Sequence, residues 1–465
     1  MCFAKSTLAV LHRILNLQCL TLLTRQRFGY KQLDNDATSP DSARSSILLA
    51  SGPAHLKKRR IMERADFEKN WHDIVFAFLK LGATAYGGPA IYGIIQSELQ
   101  EKRQWVSKER FVEGISLANL IPGATMTQFC MFLGYMRGGL WGGLLAGLCF
   151  VLPAFAIMLA LTLIYAHLGA TPIMRGGLYG LGPVVVGIFI VAVYRLSRSE
   201  VSTFPQMMIA LAAAFAVAFS PIGVVPTLAL AAGAGILIFH SLRAGALILA
   251  VMTVFLIGAS FGPWVHLSPV TPTVQATASL HPSLAEIGAF FSKIGALTFG
   301  GGLTIIALIQ EQAVDQYHWL THQEFIDGLA LGQFTPGPMI IVAAYVGYKV
   351  SGLGGAAIAA AAIFLPSFVI TLPILPIYER VRKLVWTTAA MKGIGPAVMG
   401  ILAVKLGQMA PHALPDFTAV AILIVTVIAL LMSRTGPVKI MIAGSILGVL
   451  RNRLFSLPGI KAAFT

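Results

Sequence analysis

Charge is what this sequence has least of. Only 11% of its 465 residues are Asp, Glu, Lys or Arg, against 56% hydrophobic residues, and the mean hydropathy is +0.78. A chain of that composition cannot cover itself with polar surface, which excludes a water-soluble fold and points into a bilayer. No Gly-x-x-x-x-Gly-Lys-Ser/Thr loop occurs, nor a polar domain to hold one, so nothing here drives transport by nucleotide hydrolysis. No His-Glu-x-x-His helix is present either, which weakens a membrane-hydrolase reading. Cysteines are few: Cys2, Cys19, Cys130 and Cys149, without metal-ligand spacing and without a disulfide framework. Cys130 and Cys149 fall in apolar stretches and read as small packing residues. No enzyme, metal or cofactor is expected.

The surplus of positive charge, +15, first suggests nucleic acid, but its location argues otherwise. Twelve of the Lys and Arg residues lie within 1–70, and most others sit between apolar stretches, where positive-inside bias puts them. Residues 1–70 form a basic, Ser-containing leader ending near Lys57-Lys58-Arg59-Arg60. An Arg-rich leader poor in acids can be an organelle transit peptide. The preferred expectation is translation from Met62, because Met62-Glu-Arg-Ala-Asp leads straight into the first hydrophobic segment.

What is abundant is repetition. Lys80-Leu-Gly-Ala-Thr-Ala-Tyr-Gly-Gly-Pro89 returns 213 residues later as Lys293-Ile-Gly-Ala-Leu-Thr-Phe-Gly-Gly-Gly302. The same offset pairs Glu98 with Glu311. One inserted residue then moves it to 214, pairing Trp105 with Trp319 and Pro122-Gly123 with Pro336-Gly337. The offset of 213 returns for Gly134-Tyr135 with Gly347-Tyr348, Leu152-Pro153 with Leu365-Pro366, and Gly182-Pro183 with Gly395-Pro396. A nearly constant offset over that length is an internal duplication.

The expected fold is an all-α integral membrane protein. Thirteen apolar segments follow His72, near 72–98, 113–134, 139–166, 176–195, 206–221, 223–240, 244–263, 285–310, 326–348, 353–377, 387–408, 413–432 and 437–450. They sort as a first repeat over 71–243, a linker helix and loop over 244–284, and a second repeat over 285–465. An odd helix between two six-segment repeats inverts the second, a plan common among secondary transporters. The loop with Lys102, Arg103, Lys108 and Arg110 has a partner, 311–325, with no Lys or Arg, as inversion requires. Thirteen plain spans give no clear charge bias. Reading the first two segments of each repeat as re-entrant hairpins puts thirteen Lys/Arg on the cytoplasmic side against six, Lys349 and Lys405 among them, and is preferred.

Candidate functional residues cluster at four symmetric breaks: Gly87-Gly88-Pro89, Pro122-Gly123, Gly300-Gly301-Gly302 and Pro336-Gly337-Pro338. Proline and glycine break helices, and broken backbone at membrane depth survives where it is buried or lines a cavity. Helix ends exposed there point N–H groups at their occupant, which suits an anion. The plainer alternative is close helix packing. Lys80 and Lys293 precede two of the breaks. A buried charge costs about 2.5–3.5 kcal/mol on insertion scales, so such lysines face a cavity or partner, or else snorkel to the interface. As a pair they would present two positive charges to a dianion. Glu98 and Glu311 are candidates for proton coupling or for pairing with the lysines, against an ordinary interfacial role. Gln128 and Thr127 suit either an oxyanion or polar contact between helices.

These motifs carry a resemblance. Gly82, Gly87-Gly88-Pro89, Glu98, Trp105-Val-Ser, Phe111 and Ile121-Pro122-Gly123 resemble the chromate ion transporter family. So do Lys293 to Gly302, Thr335-Pro-Gly-Pro338, Leu152-Pro153-Ala154-Phe155 and Leu178-Tyr-Gly-Leu-x-Pro183. The resemblance spans roughly 72–450 in the family's long, two-domain form. It implies chromate export across a bacterial inner membrane, with chromate and the bilayer as partners, sulfate as a competitor or alternative substrate, a homodimer as the assembly to test, and no nucleic acid. A passive anion channel is the rival class. Ala124 stands where the family pattern has the second proline of Pro-Gly-Pro, and Gly302 stands opposite Pro89, so the two halves are not strictly equivalent.

Overall fold

The computed structural model describes residues 53–86, 90–169, 171–219, 223–240, 282–299, 303–378, 385–432 and 436–455. The basic leader to residue 52, the linker segment 244–263 and the motifs Gly87-Gly88-Pro89 and Gly300-Gly301-Gly302 lie outside them. Contacts divide the chain into Met1–Met62 and Glu63–Thr465, and the second unit carries both repeats.

Every regular element among the described residues is helical. The first repeat gives α1 Pro53–Thr84, α2 Ala90–Ile95, α3 Lys108–Leu120, α4 Thr125–Leu168, α5 Pro172–Glu200, α6 Phe204–Phe219 and α7 Val224–Phe239. The second gives α8 Leu284–Ala296, α9 Thr304–Ile309, α10 His322–Phe334, α11 Val342–Ile374, α12 Val385–Ala413, α13 Phe417–Met432 and α14 Pro437–Phe455. Stretches including Thr125–Leu168, Pro172–Glu200, Met339–Ile377 and Val385–Ala413 are long and apolar enough to cross a bilayer. Large apolar side chains such as Leu152, Phe215, Phe417 and Ile424 point outward, a surface suited to lipid and not to water.

The duplication is written in the backbone. A wide helical turn follows α2 at Gln96–Lys102 and α9 at Gln310–Gln316. Gln104 and His318, 214 residues apart, share the left-handed region at φ 52° and 51°. Ser107 caps α3 and Thr321 caps α10 through the same side-chain contact. Within α4 the helix reverses at Gly138-Gly139, and within α11 at Ser351-Gly352, with φ of 60° at both Gly139 and Gly352. That conformation is open to glycine at little cost.

Each broken segment folds back on itself. Lys80 and Glu98 lie in contact across the first break, whereas an unbroken helix would hold them about 27 Å apart. Gly114 lies against Phe129 and Phe132, and Gly328 against Tyr345, so α3 and α10 run back along the helices that follow them. The segment 72–98 therefore holds two helices, and with the reversals inside α4 and α11 the described part of each repeat has eight α-helices where the apolar pattern counts six segments. Pro122-Gly123 and Pro336-Gly337-Pro338 lie at the tips of two of these hairpins.

Around the hairpins the helices form two layers. α1–α4 and α8–α11 make one, with α11 packed on both α4 and α8. α5–α7 and α12–α14 make the other, where α5 lies on α13 and α14 while α12 lies on α6 and α7, so the repeats interlock. The layers meet along α10, which touches α5 and α12, and along α9, which touches α12 and α7. Cys130 and Cys149 are buried free thiols within the hydrophobic core, as packing residues should be.

Candidate functional site at the hairpin tips

The tips meet in two reciprocal pairs. The Gly123 N–H donates to the Thr298 carbonyl at 2.8 Å, and the Gly337 N–H donates to the Ala85 carbonyl at 2.8 Å. Gly123 and Gly337 are equivalent, as are Ala85 and Thr298, so each repeat gives a donor to the other and takes one back. The local sequence makes this geometry. Ile121 and Thr335 precede prolines and are extended, ending α3 and α10. Gly123 and Gly337 then turn at φ 130° and 94°, which exposes their N–H groups sideways.

The two crossings differ in polarity. At the first, the Ala124 N–H donates to Ser367 Oγ at 2.7 Å, and Gln128 Nε2 donates to the Pro122 carbonyl at 2.9 Å. At the second, the residue equivalent to Ala124 is Pro338, which has no N–H, and the residue equivalent to Ser367 is Ala154, which has no acceptor. The departure from Pro-Gly-Pro at Ala124 is thus matched by a hydroxyl in the opposite repeat. Thr127, Gln128 and Thr371 are buried, and Thr127 Oγ1, Gln128 Oε1 and Thr371 Oγ1 have no hydrogen-bond partner among the described residues. Met158, equivalent to Thr371, accepts through its sulfur from Thr335 beside the second tip. Polar capacity is therefore concentrated at the first crossing, next to the amino end of α4, where backbone N–H groups are left without helical acceptors.

The lysine–glutamate pairs also diverge. Lys80 Nζ lies 3.1 Å from Glu98, which also takes Arg103 at 3.2 Å and Lys102 at 3.8 Å. Burial pushes the Glu98 carboxyl up, but hydrogen bonds from Lys80 and Arg103 outweigh it and hold the group below its ordinary value. Lys80, Glu98 and Lys102 line an open groove of about 410 Å³ with Thr84 and Ser97. In the second repeat, Glu311 has no cation within 4 Å among the described residues, and Lys293 no carboxylate. Glu311 instead accepts the Val224 N–H at 3.0 and 3.1 Å, closing onto the first residue of α7. The position equivalent to Val224 is Pro437, which has no N–H. The wide turns of the two repeats match at an offset of 214, since the Arg103 N–H donates to the Glu98 carbonyl as the Tyr317 N–H does to the Gln312 carbonyl. The pairing of Glu98 with Glu311 expected from an offset of 213 is therefore out of register by one residue: Glu98 stands opposite Gln312, and Glu311, opposite Ser97, is the carboxylate that reaches α7.

Of the expected residues, Pro122, Gly123, Gln128, Pro336, Gly337 and Pro338 lie at the crossings, whereas Lys80, Glu98, Lys293 and Glu311 stand along the hairpins behind the tips. Gly87-Gly88-Pro89 and Gly300-Gly301-Gly302 fall outside the described residues. Ser367, Thr371 and Lys405 escaped the sequence reading. Ser367 and Ala124 would have been found by taking the departures from exact repetition in pairs. Lys405, counted above with loop charges, is buried in α12.

Comparison with known proteins gives the same outline. The family described as "Chromate transporter" matches residues 72–239 and 285–449, once in each repeat. The "Chromate transport protein" of Cupriavidus metallidurans is 32% identical over 383 residues, covering 80% of this chain and 91% of its own. The "Probable chromate transport protein" of Synechococcus elongatus is 34% identical over 350 residues, 73% of this chain and 85% of its own. A "Chromate transport protein" of Pseudomonas aeruginosa is 31% identical over 349 residues. No solved structure matches the chain.

Proposed function

The chain belongs to the chromate transporter family, and from that premise we propose that it is a secondary transporter exporting chromate across a bacterial inner membrane by alternating access. The two repeats are inverted in the membrane, and the hairpins enter it without crossing. The observation that carries this reading is the reciprocal pair of tip contacts. They set the Pro-Gly break of each repeat against the chain just before the Gly-rich break of the other, at equivalent positions, where a substrate could be reached from either side in turn.

The anion is held at the first crossing by neutral donors, the Gly123 region, Gln128, Ser367 and the free N–H groups at the start of α4. Helix amino ends and oriented amides suit a dianion without adding a buried countercharge. Lys80 serves as the approach. It stands in an open groove, half exposed, where a cation raises the local concentration of an oxyanion. The present state is asymmetric. The groove beside Glu98 is open, while Glu311 is fastened to α7, as expected for a transporter accessible from one side. Sulfate shares the charge and shape of chromate and competes for the site.

Radiolabelled chromate uptake into inverted membrane vesicles tests the reading. Saturable, energised uptake reduced by excess sulfate is expected. Non-saturable flux in wild-type vesicles would make the protein a channel, and sulfate movement without chromate movement would keep the architecture while replacing the substrate.

A further inference from the structure

A second charged cluster lies away from the tips. Lys405, near the carboxyl-terminal third of α12, is buried to 7% side-chain exposure, and its Nζ lies 3.2 Å from Asp315 Oδ2. The other oxygen of Asp315 lies 3.7 Å from His322 Nε2, and the His322 ring stacks on His412 at 4.2 Å between centroids. His322 Nδ1 is buried without a partner among the described residues. Asp315 itself is 34% exposed, so water reaches it while its cationic partner is enclosed. Glu311 is within electrostatic reach of Lys405, Asp315 and Lys293. The groups facing Asp315 are therefore Lys405 and His412 from α12, His322 from α10, and Glu311 from its own turn.

Three features separate this cluster from a structural ion pair. It has no counterpart in the first repeat, where the equivalent positions are Ala192 for Lys405, Glu101 for Asp315, Lys108 for His322 and Ser199 for His412. It also joins the two layers. Asp315 and His322 belong to the hairpins, Lys405 and His412 to the outer helices, so any relative movement of the layers makes or breaks it. Finally, a lysine in an apolar helix is costly to keep charged unless its partner stays ionised, so the protonation of Asp315 and the closure of the layers are linked.

We propose that Asp315, held between Lys405 and the His322–His412 pair, is the proton-binding site that couples transport. A proton from the aqueous side adds to an Asp315 oxygen and cancels its charge. Lys405 is left buried without a counter-charge, and the layers part. Separation exposes Asp315 to the other face, where the proton leaves to water and the ion pair can form again. No covalent bond other than O–H changes. The idea rests on the transporter reading and goes beyond it by naming the coupling ion and its site.

The test uses the purified full chain in proteoliposomes with radiolabelled chromate, measured as uptake driven by an imposed pH gradient and as exchange without a gradient. Asp315→Asn should lose gradient-driven uptake by at least about tenfold while exchange stays within about twofold of wild type. The double variant Asp315→Asn/Lys405→Met, a matched neutral pair, should stay uncoupled. Driven uptake surviving in Asp315→Asn, or restored in the double variant, overturns the proposal in favour of a structural pair. Loss of both modes in Asp315→Asn also overturns it. Wild-type protein that moves chromate in neither mode would sink the functional reading alone. The proton site is then read by infrared difference spectra on acidification, where the absence of a carboxyl band removed by Asp315→Asn overturns it.

Discussion

Ala124 N–H donates to Ser367 Oγ at 2.7 Å, across the interface between repeats, and the equivalent positions hold Pro338 and Ala154. Donor and acceptor are present together at one crossing and missing together at the other. Ser367→Ala should leave a buried N–H unpaired and lower stability by about 1–3 kcal/mol. Ala124 sits at φ −73°, which proline can adopt, so Ala124→Pro added to Ser367→Ala should recover most of that loss by removing the orphaned donor. Thermal unfolding of the four proteins of this cycle in detergent decides it. Additive losses in the double variant would show that the two residues do not act on each other.

A methyl group at either tip glycine should block function. At Gly123 an added Cβ would meet Ser367 Oγ and the Gln128 amide, and at Gly337 it would meet the Ala154 Cβ. Both sites also have positive φ, which costs about 1–3 kcal/mol for a residue with a side chain. Gly123→Ala and Gly337→Ala should each reduce chromate flux by at least about tenfold at equal protein level in the membrane. Gly407→Ala in α12, where nothing lies within 4 Å, is the control that should keep flux near wild type. Normal flux in both tip variants would remove the crossings from the transport path.

Much of this was legible in the sequence because duplication turns one chain into two readings of the same fold. The helix breaks at Pro122-Gly123 and Pro336-Gly337, the reversals between 134 and 139 and between 348 and 353, and the bilayer setting all follow from Gly, Pro and apolar spacing. The pairing of tips between repeats was not legible, because Gly123 and Thr298 are far apart in the chain and no local pattern encodes their hydrogen bond. The lysines illustrate the other limit of pattern reading. Equal spacing made Lys80 and Lys293 look like a matched pair with matched glutamates, yet the wide turns repeat at 214 and not 213, so Glu98 meets Lys80 while Glu311, one position out of register, meets the Val224 N–H instead. Lys405 was hidden for a related reason. A single cation near the end of an apolar run reads as a loop charge until a partner in space, Asp315, is known.

Lys80 should matter for substrate and little for stability. The pair with Glu98 is half exposed on the lysine side, so its loss costs at most about 1 kcal/mol. Lys80→Gln should raise the KM for chromate several-fold with unfolding temperature nearly unchanged. It should also move the acid limb of activity. Glu98 is held below its ordinary value by Lys80 and Arg103, so it stays ionised as pH falls into the usual carboxylate range. A carboxylate depressed on folding contributes stability above its unfolded pKa and loses that contribution as pH falls through the folded one. Removing Lys80 raises the folded value, so the acid loss of flux and stability should begin at higher pH. An acid limb that does not move in Lys80→Gln would dissociate Glu98 from the groove.

The contact between Glu311 and the Val224 N–H makes the closed side of the molecule open to test. Proline is well tolerated at the first position of a helix, because the N–H it removes has no helical acceptor. Val224→Pro should therefore leave α7 intact while removing the donor that Glu311 uses. The hairpin layer then loses one of its ties to the outer helices on that side. Val314, buried against the core in the turn that carries Glu311, reports the result. In a background lacking other cysteines, Val314→Cys should react slowly with an impermeant maleimide from either face. With Val224→Pro added, the rate should rise from one face only, and Val224→Ala, which keeps the N–H, should leave it slow. A rise from both faces would mean unfolding and not a gate. An unchanged rate would mean that Lys405, Asp315 and the histidine pair hold that side closed without Glu311, which would move the whole latch onto the cluster in α12.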